Sequence, residues 1–337
     1  MTTIRDVARK LNLSITTVSR ALDGYDDVAE TTRQRVAAAA AEMGYTPNRA
    51  ARQLRRQRAE TIGYILPGRT PQFSDPYFSE FVAGLGDETS QRNNDLLVSS
   101  AVPDSLEEQA IYRRWVQGGK VDGIIVNRVC LHDWRVQFLA SQKMPFVCLE
   151  RPRDNVDFVG IETDPISGFV ELVAHIAGLN HTRIAYIGGP PRLKIAHDRF
   201  VGFLAGLRAA GLELDPDLVF PGDLTAESGY QATGCLLDLG QPPSAIVCVN
   251  DTTAMGAMHA AHDRGLQVGR DIAISGYDGT ADSAHTQPPL TTLDLPLYDV
   301  ARELVSILLA CIDGTPPPPR QDKIRPKLII RASTCNK

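Results

Sequence analysis

The chain has 337 residues and a formal net charge of −5, enough length for a small head and two further domains or lobes. No run approaches the roughly 18 uninterrupted apolar residues of a membrane-crossing helix, and six cysteines at 130, 148, 235, 248, 311 and 335 show neither CxxC pairing nor regular spacing, so they read as reduced thiols, mostly core. The mild overall acidity hides an asymmetry: residues 1–60 hold 11 Lys plus Arg against 7 Asp plus Glu, and the remainder 24 against 33. Only that local balance points to a nucleic-acid partner.

The first predicted element is a short amphipathic helix carrying Ile4, Val7, Ala8 and Leu11 at i, i+3, i+4 and i+7. Thr3, with Asp6 three residues later, caps its start. Asn12-Leu13-Ser14 makes a turn, and Ser14 is placed to cap a second helix from Ile15 to about Leu22. On that helix Val18, Ala21 and Leu22 are expected inside, leaving Ile15, Thr16, Ser19 and Arg20 as an outward stripe. A guanidinium there can grip guanine O6 and N7, and Ile15 can meet a thymine methyl. The same pattern also suits an ordinary three-helix bundle with a solvated face. A third helix, about Glu30 to Met43, carries Val36, Ala40 and Met43 and ends at Gly44-Tyr45. In TPNRAARQLRRQR, Thr46 can cap and Pro47 can sit at the first helical position. Asn48 to Leu54 then reads as a two-turn helix too short to be stable alone. Arg49, Arg52, Arg55, Arg56 and Arg58 lie here with no acidic residue between Tyr45 and Ala59, a run that would otherwise be a solvated linker.

These residues resemble the lactose-repressor and galactose-repressor family of bacterial transcription regulators. The resemblance covers essentially the whole chain: TIRDVARKLNLSITTVSRAL, EMGYTPNRAARQL, RIAYIGGPP, VNDTTAMGAM, ISGYDG and PPLTTLDLP. It implies that Ile15, Thr16 and Arg20 read bases in the major groove. It also implies that Asn48–Leu54 is a hinge helix whose Leu54 wedges into a minor-groove step, unstacking and kinking the duplex. The DNA-contacting set expected on this basis is Thr3, Ser14, Ile15, Thr16, Thr17, Ser19, Arg20, Asn48, Ala51, Leu54 and Arg55. One departure is Ala29, where the family usually has Ser or a similar N-cap, a loss of about 1 kcal/mol to the head.

From Thr61 onward short β-rich runs alternate with helical stretches, the signature of a parallel sheet wound by helices. Strands are expected at Ile62–Leu66, Leu96–Ala101, Gly123–Asn127, Phe146–Leu149, Phe158–Ile161, Ile184–Gly188, Ala245–Val249 and Ile272–Gly276. A further strand is read near Lys327 to Ile330. Helices are expected at about Tyr77–Arg92, Leu106–Gly118, Pro165–Leu179, Arg199–Ala210, Glu227–Leu239 and Thr252–Arg264. The predicted fold is therefore an all-α helix-turn-helix head joined to an α/β body of doubly wound parallel-sheet lobes. The resemblance implies two lobes of the periplasmic-binding-protein type, crossed near Glu162, Thr291 and Lys327. The expected division is 1–45 for the head, 46–60 for the hinge and linker, and 61–337 for the body. Lobe 1 takes about 61–161 and 292–326, and lobe 2 about 162–291 and 327–337.

Sheets of this kind bind ligands at the carboxyl ends of their strands. Asn127 ends one strand and Glu150 follows another; Asn250 and Asp251 follow a third and Asp278 a fourth, while Arg199 is placed at a helix start after the loop Pro190–Asp198. The resemblance implies that Arg199, Asn250 and Asp278 contact ligand and that Tyr77 and Phe78 lie against it, one of the two packing inward, with Phe73 a further candidate. A fixed carboxylate and guanidinium suit vicinal hydroxyls. Asn250-Asp251 could equally cap a helix, the favoured reading for Asp251, and Arg199 could pair with Asp198 or a lobe neighbour. Leu224 stands where sugar-binding members often carry an aromatic ring, and Gly279 where an acidic residue is common.

There is no GxGxxG, GxxxxGK or GxSxG, so catalytic residues are not expected. His259 and His262 have no third ligand nearby, and neither metal nor cofactor is expected. A sugar-transport protein shares the two-lobed body, yet the head and the missing export signal argue against it. The reading is a cytoplasmic, ligand-responsive transcription regulator, a repressor, acting as a homodimer on palindromic double-stranded operator DNA. The dimer is expected because the leucine-heptad tail of tetrameric relatives is missing. Its favoured effector is a sugar or sugar derivative. The alternatives are a purine or nucleoside effector, or loss of effector control.

Overall fold

The computed structural model describes residues 2–45, 58–68, 75–318 and 322–334. The chain divides into two compact units, Met1–Ala59 and Glu60–Lys337. In the first, helices α1 (Ile4–Leu11), α2 (Ile15–Leu22) and α3 (Glu30–Glu42) enclose a core of Val7, Ala8, Val18, Ala21, Val28, Val36 and Ala39. The Asp6 carboxylate accepts from the Thr3 N–H at 3.0 Å and hydroxyl at 2.7 Å, tying off α1. α3 starts at Ala29 with no side-chain cap, as its methyl dictates.

In the second unit, β1 (Thr61–Pro67), β2 (Asp95–Ala101), β3 (Gly123–Val126), β4 (Phe146–Leu149) and β5 (Gly160–Ile161) form a parallel sheet of order β2-β1-β3-β4-β5. β6 (Ile184–Ile187), β7 (Val219–Phe220), β8 (Ala245–Cys248) and β9 (Ala273–Ser275) form another of order β7-β6-β8-β9. The central strands are buried along their whole length, which explains their unbroken apolar runs. Each sheet has an apolar core on both faces: Tyr64, Phe81 and Leu304 against Trp115, Ile124 and Val136 in the first, Phe169, Phe203 and Val247 against Ile246, Ala257 and Ile274 in the second.

The helices are α4 (Pro76–Gln91), α5 (Leu106–Gln117), α6 (Trp134–Ser141), α7 (Pro165–Gly178), α8 (Lys194–Ala209), α9 (Ala226–Leu237), α10 (Asp251–Asp263) and α11 (Leu297–Ile312). Sequence reasoning did not anticipate α6, α11, β7 or β10 (Thr292–Asp294). It also started α8 five residues late, because Leu193 before it gives no polar capping bond. α11 packs on α4 and on β3, β4 and β5, so the chain returns to the first sheet after β10. β10 pairs antiparallel with β11 (Lys327–Ile329). Between the sheets, residues 162–164 run beside Ile324, whose N–H donates to Glu162 O and whose O accepts from the Asp164 N–H, both at 2.9 Å.

Of the five described cysteines only Cys148 and Cys248 are buried; Cys130 and Cys311 are half-buried and Cys235 is exposed. Cys130 and Cys311 pack against the apolar cores that they border, so all but Cys235 of the described thiols lie in or against a core. No described helix is long and apolar enough to cross a membrane.

Candidate functional site

The head presents one polar face. Ser14 Oγ accepts from the Thr17 N–H at 2.9 Å, which starts α2 where the turn chemistry requires. Thr3, Ser14, Ile15 and Thr16 are exposed, and Thr17 and Arg20 are half-buried. Ser19 is a correction: it is 5% exposed and turned inward beside Val18, its hydroxyl donating to Asp23 at 3.4 Å. In an eight-residue helix a small polar side chain is accepted at the edge of the core, so polarity misplaced it. Arg20 Nε donates to Asp27 Oδ1 at 3.2 Å and Nη2 lies 2.5 Å from Oδ2, with the Tyr25 ring 4.9 Å from the guanidinium carbon. Asn48, Ala51, Leu54 and Arg55 lie outside the described residues, as does Phe73.

In the body, the strand order reverses between β1 and β3 and between β6 and β8, where crevices open at the carboxyl ends. Asn127 and Arg128 follow β3, and Val249 and Asn250 follow β8. The two crevices face each other. Leu131 N–H donates to Arg192 O at 2.8 Å and Lys194 N–H to Val129 O at 2.9 Å. Arg192 forms an ion pair with Asp104, and Thr252 reaches Asp75 at 3.4 Å. They enclose a cavity of about 240 Å³ lined by Pro67, Pro103, Arg128 and Cys130 on one side and by Arg192, Leu193, Asp223 and Leu224 on the other.

Arg199 and Asp278 form a buried ion pair. Arg199 Nη2 donates to Asp278 Oδ1 at 3.0 Å and Nη1 to Val249 O at 2.7 Å, with the guanidinium 3.7 Å from the Tyr277 ring centre. The two residues are 4% and 6% exposed. Burial pushes the Asp278 carboxyl up to about 6, against the pull of Arg199 and Arg128. Tyr77 is also here: its hydroxyl donates to Asn127 Oδ1 at 3.2 Å, and burial raises it to about 12 while Arg128 opposes. Arg128 lies over both Tyr77 and Phe78, 5.2 and 4.8 Å from their rings, and 3.6 Å from Asp75. Both aromatics are buried.

The structure thus brings together Arg199, Asp278, Tyr77, Phe78 and Asn127. It departs from the sequence reading at three points. Arg199 sits within α8 rather than at its start. Asn250, not Asp251, is the N-cap of α10, accepting from the Thr253 N–H at 3.0 Å, and its amide donates to Leu224 O at 3.2 Å. Asp251 instead accepts from Thr292 at 2.5 Å and from the Thr280 N–H at 2.8 Å, and burial with the neighbouring Asp278 charge lifts it to about 7. Glu150 stands at the passage between the sheets, accepting from the Thr163 N–H and hydroxyl, and burial lifts it to about 7.

Sequence reasoning missed Arg128. Its only signal is a cation directly after a strand-ending Asn. Arg128, Glu150, Leu224 and Asp278 all have positive φ (51°, 74°, 73° and 114°), a conformation costly for side-chain-bearing residues that gathers at ligand sites. Gly279 also has its reason: at φ 72° a Cβ would lie 2.6 Å from Asp294 Cα, so no acidic side chain fits. Arg128 Nε and Arg199 Nε are buried without hydrogen-bond partners among the described residues.

The model of the bacterial regulatory proteins of the lacI family matches residues 3–48, and that of the periplasmic binding protein-like domain matches residues 173–334. The HTH-type transcriptional regulator AglR of Rhizobium meliloti (strain 1021) is 34% identical over 338 residues, covering 98% of this chain and 94% of its own. The structure of the lac repressor dimer bound to operator and the anti-inducer ONPF superposes with a TM-score of 0.85 at 30% identity, covering 99% of each chain. A complex of the transcriptional regulator CelR with cellobiose gives a TM-score of 0.76 at 28% identity, covering 99% of this chain and 100% of that one.

Proposed function

This chain belongs to the lacI family of bacterial regulatory proteins, and from that premise we propose that it is a repressor whose operator affinity is set by a sugar or sugar derivative held between its two lobes. It is a sequence-specific DNA-binding transcription regulator and not an enzyme. The observation that carries the effector reading is the buried Arg199–Asp278 pair, whose carboxylate feels the charge of Arg128 in the wall of an inter-lobe cavity. A rigid acceptor and donor side by side suit the vicinal hydroxyls of a sugar and penalise a ligand without them. The free Nε donors of Arg128 and Arg199 add two bonds that hydroxyl oxygens can accept.

In this reading Arg199, Asp278, Arg128, Tyr77, Phe78 and Asn127 form the effector site. Asn250 and Glu150, engaged with their own surroundings, shape it from behind. The head is residues 1–45, the linking segment 46–60 and the body 61–337, with lobes divided at about 161, 291 and 326. Ile15, Thr16, Thr17 and Arg20, with Thr3 and Ser14, face the operator, and Asn48 to Arg55 supplies the hinge contacts. A cytoplasmic homodimer on a palindromic site matches protein symmetry to operator symmetry. The operator-bound lac repressor dimer, similar along the whole chain, supports that arrangement.

The test is calorimetric titration of a sugar panel alongside operator binding with and without each hit. A true effector shifts operator affinity by about 1–3 kcal/mol, and operator shifts effector affinity equally. Asp278→Asn reduces effector binding and leaves effector-free operator binding nearly intact. A hit whose binding ignores both Asp278→Asn and Arg199→Ala moves the effector site elsewhere. A hit that binds without changing operator affinity is not the signal.

A further inference from the structure

The reading of DNA by Arg20, on which this inference rests, leaves open what a carboxylate is doing beside a base-reading guanidinium. Arg20 projects from the last turn of α2 and Asp27 from the loop before α3. Their two contacts use the side edge of the guanidinium, Nε to Oδ1 and Nη2 to Oδ2, at 3.2 and 2.5 Å. A single-point exposed ion pair would order little, but a two-bond pairing fixes the plane of the guanidinium. The Tyr25 ring, 4.9 Å away, adds a second surface against it. Of the five N–H donors of an arginine, those left over are both hydrogens of Nη1 and the second of Nη2. One hydrogen of each Nη points out from the end of the side chain, the two lying parallel. That spacing of parallel donors matches the O6 and N7 acceptors of guanine.

We propose that Asp27 is a positioning residue for base recognition, locking Arg20 so that its end edge meets one guanine per half-site. The carboxylate also adds a negative charge close to where DNA phosphates must come. Its presence therefore lowers affinity for DNA in general while sharpening discrimination at one base pair. Those two effects move in opposite directions on its removal, which a purely structural role would not produce. The Asp27 side chain is 54% exposed, and the loop is anchored by the buried Val28 next to it, so truncation of Asp27 leaves the head folded.

The experiment uses the full-length protein. A consensus operator is first selected from random DNA, then binding is measured to it, to every single-pair variant and to unrelated DNA, for the wild type, Arg20→Ala, Asp27→Ala and Asp27→Asn. Arg20→Ala identifies the pair that Arg20 reads. At that pair Asp27→Ala is expected to lower the guanine preference about 3- to 10-fold, with other positions unchanged and binding to unrelated DNA tightened. Asp27→Asn, with one oxygen left to accept, falls between. If Arg20→Ala erases the preference at one pair and Asp27→Ala leaves it intact, the positioning role is wrong and base reading by Arg20 stands. A uniform loss at all pairs in Asp27→Ala also overturns the positioning role. If Arg20→Ala leaves every preference unchanged, the reading helix and this inference fall together.

Discussion

Asp278→Ala removes one half of a buried ion pair and leaves the other half charged. Arg199 is 4% exposed, and its guanidinium then keeps only the Val249 carbonyl at 2.7 Å and the Tyr277 ring at 3.7 Å. At 3.0 Å and an effective dielectric near 20, the lost attraction is about 5.5 kcal/mol. Breaking buried pairs typically costs about 3–5 kcal/mol. Two features place the expected loss near the lower end, about 3 kcal/mol: the retained partners, and relief of the repulsion that Asp278 exerts on buried Asp251. Replacing both partners by apolar residues, Arg199→Met with Asp278→Leu, leaves no uncompensated charge and should return stability to within about 1 kcal/mol of the parent. The assay is urea unfolding of the ligand-free protein followed by far-ultraviolet circular dichroism, with both single variants to close the cycle. A loss below about 1 kcal/mol in Asp278→Ala, or a double variant as unstable as the two singles added together, refutes the argument that this pair is held by mutual charge compensation.

Ala29→Ser supplies the missing cap of α3 and should stabilise the head by about 1 kcal/mol, read as a higher thermal midpoint of the N-terminal unit. Gly256→Ala drives a Cβ to within 1.9 Å of the Ala226 carbonyl oxygen, where α10 crosses the start of α9. Overpacking against backbone should cost about 3 kcal/mol or more, visible as a lowered unfolding midpoint, and an unchanged midpoint would mean that the helices part freely. The pH dependence follows from carboxyls raised above their ordinary values, Glu150 and Asp251 to about 7 and Asp278 to about 6. The folded body binds these protons more tightly than the unfolded chain does. Their contribution is therefore complete below about pH 4 and lost as pH rises toward 7. Over that window Asp251→Asn should flatten the fall of the melting temperature with pH, and an identical slope in the variant would count against the assignment.

The head was legible because its signals are local: Ser14 before an apolar stripe fixes the start of α2 to the residue. Ser19 was misread because polarity says little about orientation in so short a helix. In the body, parallel strands announce themselves as apolar runs, whereas two-residue β7 and three-residue β10 are held by their neighbours. The stripe Leu297, Val300, Ala301, Leu304 and Leu308 was present in the sequence for α11 and follows helical spacing. It lies in a chain return that strand-by-strand reading does not anticipate. The Arg199–Asp278 pair joins residues 79 positions apart, so only the resemblance placed them together. Arg128 depends on a left-handed turn after β3, and nothing in its neighbours encodes that turn.

Two of the bonds that draw the lobes together at the cavity edge run from the Leu131 and Lys194 amides to the Arg192 and Val129 carbonyls. They are peptide-to-peptide and indifferent to side-chain identity. Every residue but proline can supply the Leu131 or Lys194 donor. The walls of the cavity can therefore be rewritten, Leu224 to an aromatic ring or Arg128 to a neutral residue, without touching the seam that shuts it. Recognition and closure are separately adjustable in such a molecule. A library varied only at Leu224 and Arg128, which make no contact across that seam, would be expected to yield proteins that accept new effectors and still close in the same way.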